Sequence, residues 1–497
     1  MNDYNGYPIL TADEAANLIP NGTTIGFSGF SPAGAAKALP PAIARRAKER
    51  HAAGEPYQVR VFTGASTGPH FDDALAEANA ISFRAPYQSS MALRKQINAQ
   101  KVEFVDMHLS HVTQHVYEGF YGAIDFAVVE ASEVTRDGRA FLTTSIGVSP
   151  TYLKKAQKII FEINRHHNPR LREMADIAYL PSPPHQDSIA IHAPMIKIGW
   201  PYASFDPDKV IGIVETDEED HVSEFSEPTE THMAIARHVV DFVLAELKAS
   251  PSPNALLPFQ SGVGNVANAV MSGLGNSPDL PPFYMYSEVL QDALIDLIES
   301  GKILGASTCS LTLTERTLQR IYQNMDFFAP RIVLRPQELS NNPGIVRRLG
   351  VITMNTALEF DIYGNVNSTH VCGTRMMNGI GGSGDFTRNA YVSFFTCPST
   401  AKGGKISAVV PMATHIDHSE HSVQIVATEQ GLADLRGLGP MQRAEAIINN
   451  CAHPDYRPYL REYLKSSEKG HIRHNLKRAF ELHCNLLEHG AMLPELV

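Results

Sequence analysis

The chain alternates short apolar runs with amphipathic stretches whose apolar positions recur every three to four residues. Near the start, Thr11-Ala-Asp-Glu14 predicts a capping box that opens a short helix. Apolar runs predict buried strands at residues 24–29, 59–63, 126–130, 158–162 and 282–286. Helical periodicity predicts helices at residues 33–49, 72–78, 233–247 and 290–301. Strands that alternate with helices in this way are typical of a parallel sheet in an α/β fold.

A polar, acidic run at residues 216–228 interrupts this alternation, which resumes near Leu256. The run is a candidate linker, and a solvated loop within one domain is an equally good interpretation. A chain of 497 residues is long enough for two to four domains at roughly 100–200 residues each. We predict two tandem open α/β domains with mainly parallel sheets, at residues 1–226 and 227–497.

Charge narrows the classes of partner. The chain carries 42 basic and 53 acidic residues, a formal net charge of −11. An acidic surface of this kind repels nucleic acid and anionic membranes, so neither is an expected partner. A small anionic substrate stays possible, because a site can be locally positive inside an acidic protein.

Cysteine usage and the N-terminal segment bear on the compartment. The five cysteines are scattered and form no CxxC pair, which argues against a disulfide framework or a zinc site. Residues 1–20 lack the basic and apolar regions of a signal peptide. No run reaches the ~18 apolar residues that a membrane span needs. A cytoplasmic protein without a membrane span is the simplest expectation.

Three glycine-bearing loops are candidate ligand sites. The first, residues 260–268, leads into a helix, so its N–H groups could face a phosphate or an oxyanion; a tight packing turn is the alternative. The second, residues 377–385, has four glycines and favours close approach of a ligand to the backbone. The third, residues 399–405, adds Lys402 and Lys405, which could meet a phosphate or lie in a surface turn.

Glu288 lies where the predicted strand 282–286 opens into a helix. In open α/β sheets this edge binds ligands, and a carboxylate there can attack a thioester to form an acyl–glutamyl anhydride. The alternative is a carboxylate that stabilises the helix dipole, and the local pattern alone favours it. Glu429 has the same strand-to-loop setting and the same ambiguity.

Histidines offer a weaker candidate. His415, His418 and His421 are spaced three apart, a spacing that could present metal ligands on one helix face. The polar residues between them make a loop the favoured interpretation, and no metal site is predicted. The pair at 166–167 and the late histidines at 471 and 474 are predicted to lie on the surface.

Several segments occur in an order that resembles the acetyl-CoA hydrolase/transferase family of class I CoA transferases. These segments are residues 26–30, 39–40, 63–69, 260–266, 286–292, 340–350, 361–369, 377–386 and 428–437. The similarity extends along nearly the whole chain. Residues 335–343 and 418–422 are most similar to bacterial members of the propionyl-CoA:succinate type, with the succinyl-CoA:acetate type close by.

The resemblance assigns roles that spacing alone does not. It implies that Glu288 is the nucleophile and that the N–H groups of Val263 and Gly382 form an oxyanion hole. It implies that Asn341 positions the acceptor carboxylate and that Glu429 orients the neighbourhood of the catalytic carboxylate. The implied CoA-binding set is Gly262, Val263, Gly264, Asn265, Val266, Asn378, Gly382 and Lys402.

The resemblance also implies an activity: a homodimeric enzyme that moves CoA between short-chain acyl-CoA and small carboxylic acids through a glutamyl–CoA thioester. No metal and no cofactor beyond CoA as substrate is expected. An acyl-CoA hydrolase on the same scaffold is the nearest alternative, because it shares the intermediates. A non-catalytic CoA-binding protein is a second alternative, and a metal-dependent enzyme that uses the His415 cluster is the last.

Overall fold

A computed structural model of the chain describes residues 3–224, 226–249, 257–262 and 264–494. The chain forms two compact units, both discontinuous in sequence. The first comprises Met1–Glu224, Tyr284–Leu349 and Asn378–Asp385, and the second comprises Phe225–Phe283, Gly350–Met377 and Phe386–Val497. The predicted boundary between residues 226 and 227 stays a prediction about the linear division of the chain.

The first unit is built on a sheet of nine strands. Seven of them lie in the order Ala203–Ser204, Arg139–Leu142, Phe126–Val134, Thr24–Phe27, Val59–Phe62, Ile81–Ala85 and Glu103–Phe104. Lys158–Asn164 pairs in parallel with both Phe126–Val134 and Val210–Thr216. Only the pairings made by Arg139–Leu142 are antiparallel. The buried strands are apolar on both faces, as a sheet covered by helices requires.

The other regular elements of the first unit are short. The α-helices that lie wholly in it are Ala12–Asn17, Leu39–Ala52, Ala74–Glu77, Met91–Asn98, His111–Tyr117, Ser149–Lys155, Asp292–Glu299, Glu315–Gln323, Met325–Phe328, Gln337–Ser340 and Pro343–Leu349. Single turns of π or 3-10 helix occur at Pro69–Asp73, Pro169–Glu173, Pro207–Lys209 and Ala329–Arg331. An N-terminal hairpin joins Asp3–Tyr4 to Tyr7–Pro8.

A second strand layer carries the region of Glu288. Strand Ile303–Thr308 lies between Ile332–Leu334 and Phe283–Tyr286. Just past these strand ends, Val289–Leu290 pairs in parallel with Ser310–Leu311. This short pairing lies between Glu288 and the helix that starts at Asp292, so the predicted passage from strand to helix at Glu288 is present, with two paired residues before the helix.

The second unit is also α/β. Its five neighbouring strands are Phe259–Ser261, Ile352–Thr356, Val392–Thr396, Ile425–Thr428 and Gly431–Asp434. All neighbours pair in parallel except the last two, which form a hairpin. Its longer helices are Glu230–Ala249, Asn265–Asn276, Pro440–Asn450, Arg457–Ser466 and Glu481–His489. Short strands form small additional sheets at Glu359–Asp361, Val366–Asn367, His370–Val371, Arg375–Met376, Thr400–Ala401, Ile406–Ser407 and Val409–Val410.

The predicted α/β class with mainly parallel sheets is confirmed, as is the capping box at Thr11. The predicted helix 33–49 instead begins at Leu39. Its first N–H groups, from residues 37 to 39, donate to the Glu162 carboxylate at 2.6 to 3.0 Å. A distant strand therefore caps this helix, and no local pattern could reveal that.

The acidic run also differs from a solvated loop at one point. Asp220 is 3% exposed and accepts a hydrogen bond from the Lys37 ammonium at 3.0 Å. His167, predicted to lie on the surface, is 2% exposed and contacts the Asp220 carboxylate. The surface prediction for His167 is wrong because its partner residues come from other strands and loops, whereas the rest of the acidic run is a largely exposed loop.

Two further features concern the chemistry of the chain as a whole. All five cysteines are described, and none forms a disulfide. Within the described ranges, no helix is both long and apolar enough to cross a bilayer.

Candidate active site

The backbone of Glu288 is held by hydrogen bonds at a strand end. Its carbonyl accepts the Cys309 N–H at 3.0 Å and the Thr308 hydroxyl at 2.7 Å. The preceding residue, Ser287, is fully buried and donates its N–H to the Ser307 carbonyl. The side chain of Glu288 keeps partial exposure while its backbone is fixed, which is the arrangement that a reactive carboxylate needs.

Two other predicted site residues meet this carboxylate. The Asn341 Nδ2 donates to Glu288 Oε1 at 2.7 Å. Gly382 lies so close that a Cβ on it would be 2.0 Å from Glu288 Oε1 and 2.3 Å from Asn341 Nδ2. Only a glycine fits at this position. The structure therefore brings Glu288, Asn341 and Gly382 together.

The surroundings of Glu288 are apolar. A buried cluster of Phe30, Ala65, Leu109, Val289 and Cys309, with Tyr87 packed against it, includes the residue that follows Glu288. Burial raises the pKa of Glu288 to about 7, and the Asn341 hydrogen bond opposes this shift only in part. A carboxylate held near neutrality is more basic, and hence a better nucleophile, than an ordinary glutamate.

The Cys309 thiol is the other nucleophilic group beside Glu288. It is fully buried, and burial together with the Glu288 charge raises its pKa well above the usual value. It therefore stays a neutral thiol, and a thiol is a far weaker nucleophile than a thiolate. Of the two groups, the thiol is therefore the weaker candidate nucleophile.

The glycine loop that carries Gly382 is fixed by residues from a distant part of the same unit. The Asn378 Nδ2 donates to the Tyr87 hydroxyl at 2.8 Å. The Ile380 N–H donates to the Asp106 carboxylate at 2.8 Å. These contacts hold in place a loop that its glycines would otherwise leave mobile.

The loop is fixed at its other end too. The N–H and the hydroxyl of Ser110 donate to the Asp385 carboxylate at 3.0 and 2.6 Å. The Leu109 N–H donates to the Gly381 carbonyl at 3.3 Å. Residues 87–110 thus fix the loop along its length.

The remaining predicted CoA-binding residues belong to the second unit. Gly264 has a φ of 118° and precedes a helix that begins at Asn265, as the sequence predicts. Asn265 donates to Ser226, and Val266 is buried. Gly262 directly follows the strand Phe259–Ser261. Val263 lies outside the described residues. The CoA-binding role of this loop stays a prediction.

Lys402 and Glu429 also lie in the second unit. Lys402 is exposed, with a φ of 49°, in the hairpin that follows Thr400–Ala401. The Glu429 carboxylate accepts the Ser399 N–H at 2.7 Å and also the Ser399 hydroxyl. Burial acts to raise the pKa of Glu429, but these hydrogen bonds outweigh it and lower the pKa. Glu429 is therefore ionised at neutral pH, and its predicted orienting role stays a prediction.

The histidine triplet does not form a metal site. His415 pairs with Asp417 at 3.3 Å, the His418 ring packs at a tilt against Phe395 with ring centroids 4.8 Å apart, and His421 is exposed. The triplet is thus spread over three environments, which removes the basis for a metal enzyme at this cluster.

Among the described residues, one group of metal-type ligands does converge: Glu130, His167 and Asp220. The Lys37 ammonium already lies between the two carboxylates, at 2.5 Å from Glu130 and 3.0 Å from Asp220. A divalent cation would meet this positive charge at close range. The cluster is therefore a buried ion network with its cation supplied by the chain.

Sequence reasoning missed several residues that shape the site. Tyr87, Asp106 and Ser110 are separated from the glycine loop by more than 270 positions, and no local signal marks them. Asp385 was visible as the acidic end of the glycine loop. Its position next to Asn341 could be seen only in the folded chain.

Sequence comparison identifies related proteins over the whole chain. The model of the acetyl-CoA hydrolase/transferase N-terminal domain matches residues 1–215, and that of the C-terminal domain matches residues 318–464. The chain is 55% identical to the propanoyl-CoA:succinate CoA transferase of Escherichia coli, over 97% of this chain and 98% of the relative. It is 44% identical to the succinyl-CoA:acetate CoA-transferase of Clostridium kluyveri, over 97% and 90%.

A hydrolase is also related. The acetyl-CoA hydrolase of Schizosaccharomyces pombe is 43% identical, over 96% of this chain and 95% of the relative.

Among solved structures, RipA from Yersinia pestis has a TM-score of 0.70 at 23% identity, over 92% of this chain and 97% of that chain. A 4-hydroxybutyrate CoA-transferase from Porphyromonas gingivalis has a TM-score of 0.62 at 21% identity with the same coverage, so the fold is shared. This chain therefore belongs to the acetyl-CoA hydrolase/transferase family, whose members act on acyl-CoA thioesters by CoA transfer or hydrolysis.

Proposed function

We propose that this protein is a CoA transferase that moves CoA between a short-chain acyl-CoA and a small carboxylate, with Glu288 as covalent nucleophile. The observation that carries the proposal is the Glu288 carboxylate itself. It is hydrogen-bonded by Asn341, closely packed by Gly382 and next to an apolar cluster, and burial raises its pKa to about 7.

In the first half-reaction, the Glu288 carboxylate attacks the acyl-CoA carbonyl and forms a tetrahedral oxyanion. The N–H of Gly382 is one donor for this charge, and the family resemblance assigns a second to Val263. Collapse breaks the C–S bond, releases the CoA thiolate and leaves an acyl–glutamyl anhydride. The thiolate then attacks the glutamyl carbonyl, which releases the first carboxylate and leaves a glutamyl–CoA thioester.

In the second half-reaction, the incoming carboxylate attacks the glutamyl–CoA carbonyl and expels the thiolate. The thiolate attacks the acyl side of the new anhydride and regenerates the Glu288 carboxylate. No oxidant, reductant or net proton is consumed. The apolar cluster around Glu288 favours this route, because water would destroy the anhydride and the thioester.

Trapping the intermediate tests the nucleophile. Incubation with acyl-CoA followed by borohydride should convert the glutamyl thioester at Glu288 to a primary alcohol, which peptide mass spectrometry locates. Glu288→Ala should lose transfer activity and the modification together. Glu338 is a matched internal control, because burial raises its pKa to about 8 and it has no proposed role. Modification at Glu338 and not at Glu288 would contradict the assignment.

Acyl-CoA hydrolysis is the second candidate, favoured by the relationship to the S. pombe acetyl-CoA hydrolase. The higher identity to two CoA transferases supports transfer. We propose propionyl-, acetyl- or succinyl-CoA as donors, with succinate, acetate or propionate as acceptors. The test measures acyl-CoA consumption for each donor with and without each acceptor. Transfer requires an acceptor and yields a new acyl-CoA, whereas equal release of free CoA without acceptor would identify a hydrolase.

A further inference from the structure

The Asn341 side chain lies between two carboxylates. Its Nδ2 donates to Glu288 Oε1 at 2.7 Å and, more weakly, to Asp385 Oδ2 at 3.4 Å. Asn341 is fully buried, and its Oδ1 has no hydrogen-bond partner among the described residues. The donor end of this amide is therefore shared by two acceptors, while the acceptor end is left open.

Asp385 is itself held on its far side. It is 3% exposed, and Ser110 donates its N–H to Asp385 Oδ2 and its hydroxyl to Oδ1. Ser110, Asp385, Asn341 and Glu288 form a continuous chain of hydrogen bonds that ends on the nucleophile. When ionised, Asp385 accepts hydrogen bonds and donates none, so in that form it fixes which end of the amide faces it.

The orientation matters because the two ends of a carboxamide have nearly the same shape. A turned Asn341 would place Oδ1 against the Glu288 oxygen, and two acceptors would repel each other. In the resting enzyme the Glu288 charge also favours the correct orientation. In the anhydride and the thioester that charge is gone, and Asp385 is then the carboxylate that still attracts Nδ2.

We propose that Asp385 is a positioning residue that, anchored by Ser110, keeps the Asn341 amide donating to Glu288 through both half-reactions. The inference rests on the proposed covalent role of Glu288. Burial, together with the Glu288 charge, raises the pKa of Asp385 to about 7. Its strength as an acceptor therefore increases as the pH rises through neutrality.

A double-mutant cycle tests whether Asp385 acts through Asn341. Asp385→Ala should lower kcat by roughly 10- to 100-fold, as misplaced groups typically do, with a small change in the KM for acyl-CoA. Asp385→Asn keeps an acceptor of the same shape, so it should recover most of the loss. In an Asn341→Ala background, Asp385→Ala should cause little further loss, because residues that act as one unit are not additive.

Asp106→Asn supplies the matched control. It loosens the same glycine loop at Ile380, so its effect should multiply with that of Asn341→Ala. Should Asp385→Ala fail to fold, Ser110→Ala carries the same cycle in its place, because it removes the hydroxyl donor to Asp385 and keeps the Ser110 N–H. Additive losses for Asp385 and Asn341, or a wild-type kcat in Asp385→Ala, would overturn the positioning role.

Failure of this inference can be told apart from failure of the proposed function. Covalent trapping at Glu288 in the wild type reports on the function alone. A trapped wild type with additive mutants rejects only the role of Asp385. An untrapped wild type rejects the covalent mechanism, and the positioning role with it.

Discussion

At the scale of single residues, the protonation state of the site depends on how little the charge of the Glu288 carboxylate is compensated by its neighbours. An apolar cluster that includes Val289 lies next to Glu288, and Asn341 donates one neutral hydrogen bond to the Glu288 carboxylate. Desolvation disfavours the charged form, so the carboxylate is held near the point of protonation. The same desolvation makes the ionised fraction a strong nucleophile.

The pH dependence of the reaction follows from this ionisation. The pKa of Glu288 is raised to about 7, and only the ionised form attacks a thioester. We expect kcat/KM for acyl-CoA to rise with pH through about pH 7, where half of the carboxylate is ionised, and to level off at higher pH as ionisation becomes complete. Measurement of initial rates from pH 5.5 to 8.5 checks this. A flat profile across this range would contradict a nucleophile with a raised pKa.

Gly382 gives a steric prediction. A methyl group there would lie 2.0 Å from the Glu288 carboxylate and 2.3 Å from Asn341. We expect Gly382→Ala to lower kcat roughly 10²-fold or more, since small misplacements at a reacting centre have effects of this size. Gly381→Ala is the control, because its Cβ would meet only the Tyr87 ring, at 3.5 Å, although its φ of +58° adds strain. Equal losses of kcat in both variants would assign the effect to loop strain.

At the scale of elements, partners distant in sequence hold the helices and loops in place. The Glu162 carboxylate, on strand Lys158–Asn164, caps the helix Leu39–Ala52. Next to it, Lys37 and His167 pair with Glu130 and Asp220 in a fully buried network. Burial of four such groups is tolerated because each charge has an opposite charge beside it.

Removal of the Lys37 ammonium should therefore be severe. Lys37→Met keeps most of the length of the side chain, one heavy atom short, but leaves two carboxylates buried with less positive charge. We expect a loss of roughly 3–5 kcal/mol in the free energy of unfolding. Chemical denaturation measures it. Arg45→Met, which breaks the exposed pair with Asp13, is the control and should change stability little.

The network also predicts how stability varies with pH. Burial acts to raise the pKa values of Glu130 and Asp220, but the positive charges of Lys37 and His167 outweigh it and lower them. The contribution of these two carboxylates to stability is therefore lost as the pH falls below the ordinary range of a carboxyl pKa. The two carboxylates raise the pKa of His167 from 6.5 to about 9, so its contribution is full below pH 6.5 and is lost as the pH rises through 9. Denaturation midpoints should therefore be highest between the acidic range in which the carboxylates become protonated and the range near pH 9 in which His167 loses its charge. A midpoint that still increases above pH 9 would contradict the assigned charges.

At the scale of the whole molecule, the chain has two α/β units, each with its own parallel strands. The family resemblance implies a homodimer. We expect sedimentation equilibrium to give twice the chain mass of 54.5 kDa at micromolar concentrations. A single species at the monomer mass would contradict this expectation and would leave each chain to act alone.

Patterns within the sequence were enough to predict the fold class and to identify Glu288 as the candidate nucleophile. Apolar periodicity is a local property, so it predicted the strands and most helices without any knowledge of their partners. The ordered family segments assigned Glu288, Asn341 and Gly382 to one site. The local pattern alone could not do so, because a carboxylate at a strand end has the same appearance in a catalytic and in a structural role.

The hydrogen-bond partners and the burial of these residues depend on the folded chain. Asp385 comes next to Asn341, and Ser110 next to Asp385, through contacts across 44 and 275 positions of the chain. The burial of Asp220 and His167, both predicted to be solvated, has the same origin. A pKa or an amide orientation depends on what surrounds a group in space, and this information is absent from any local window of the sequence.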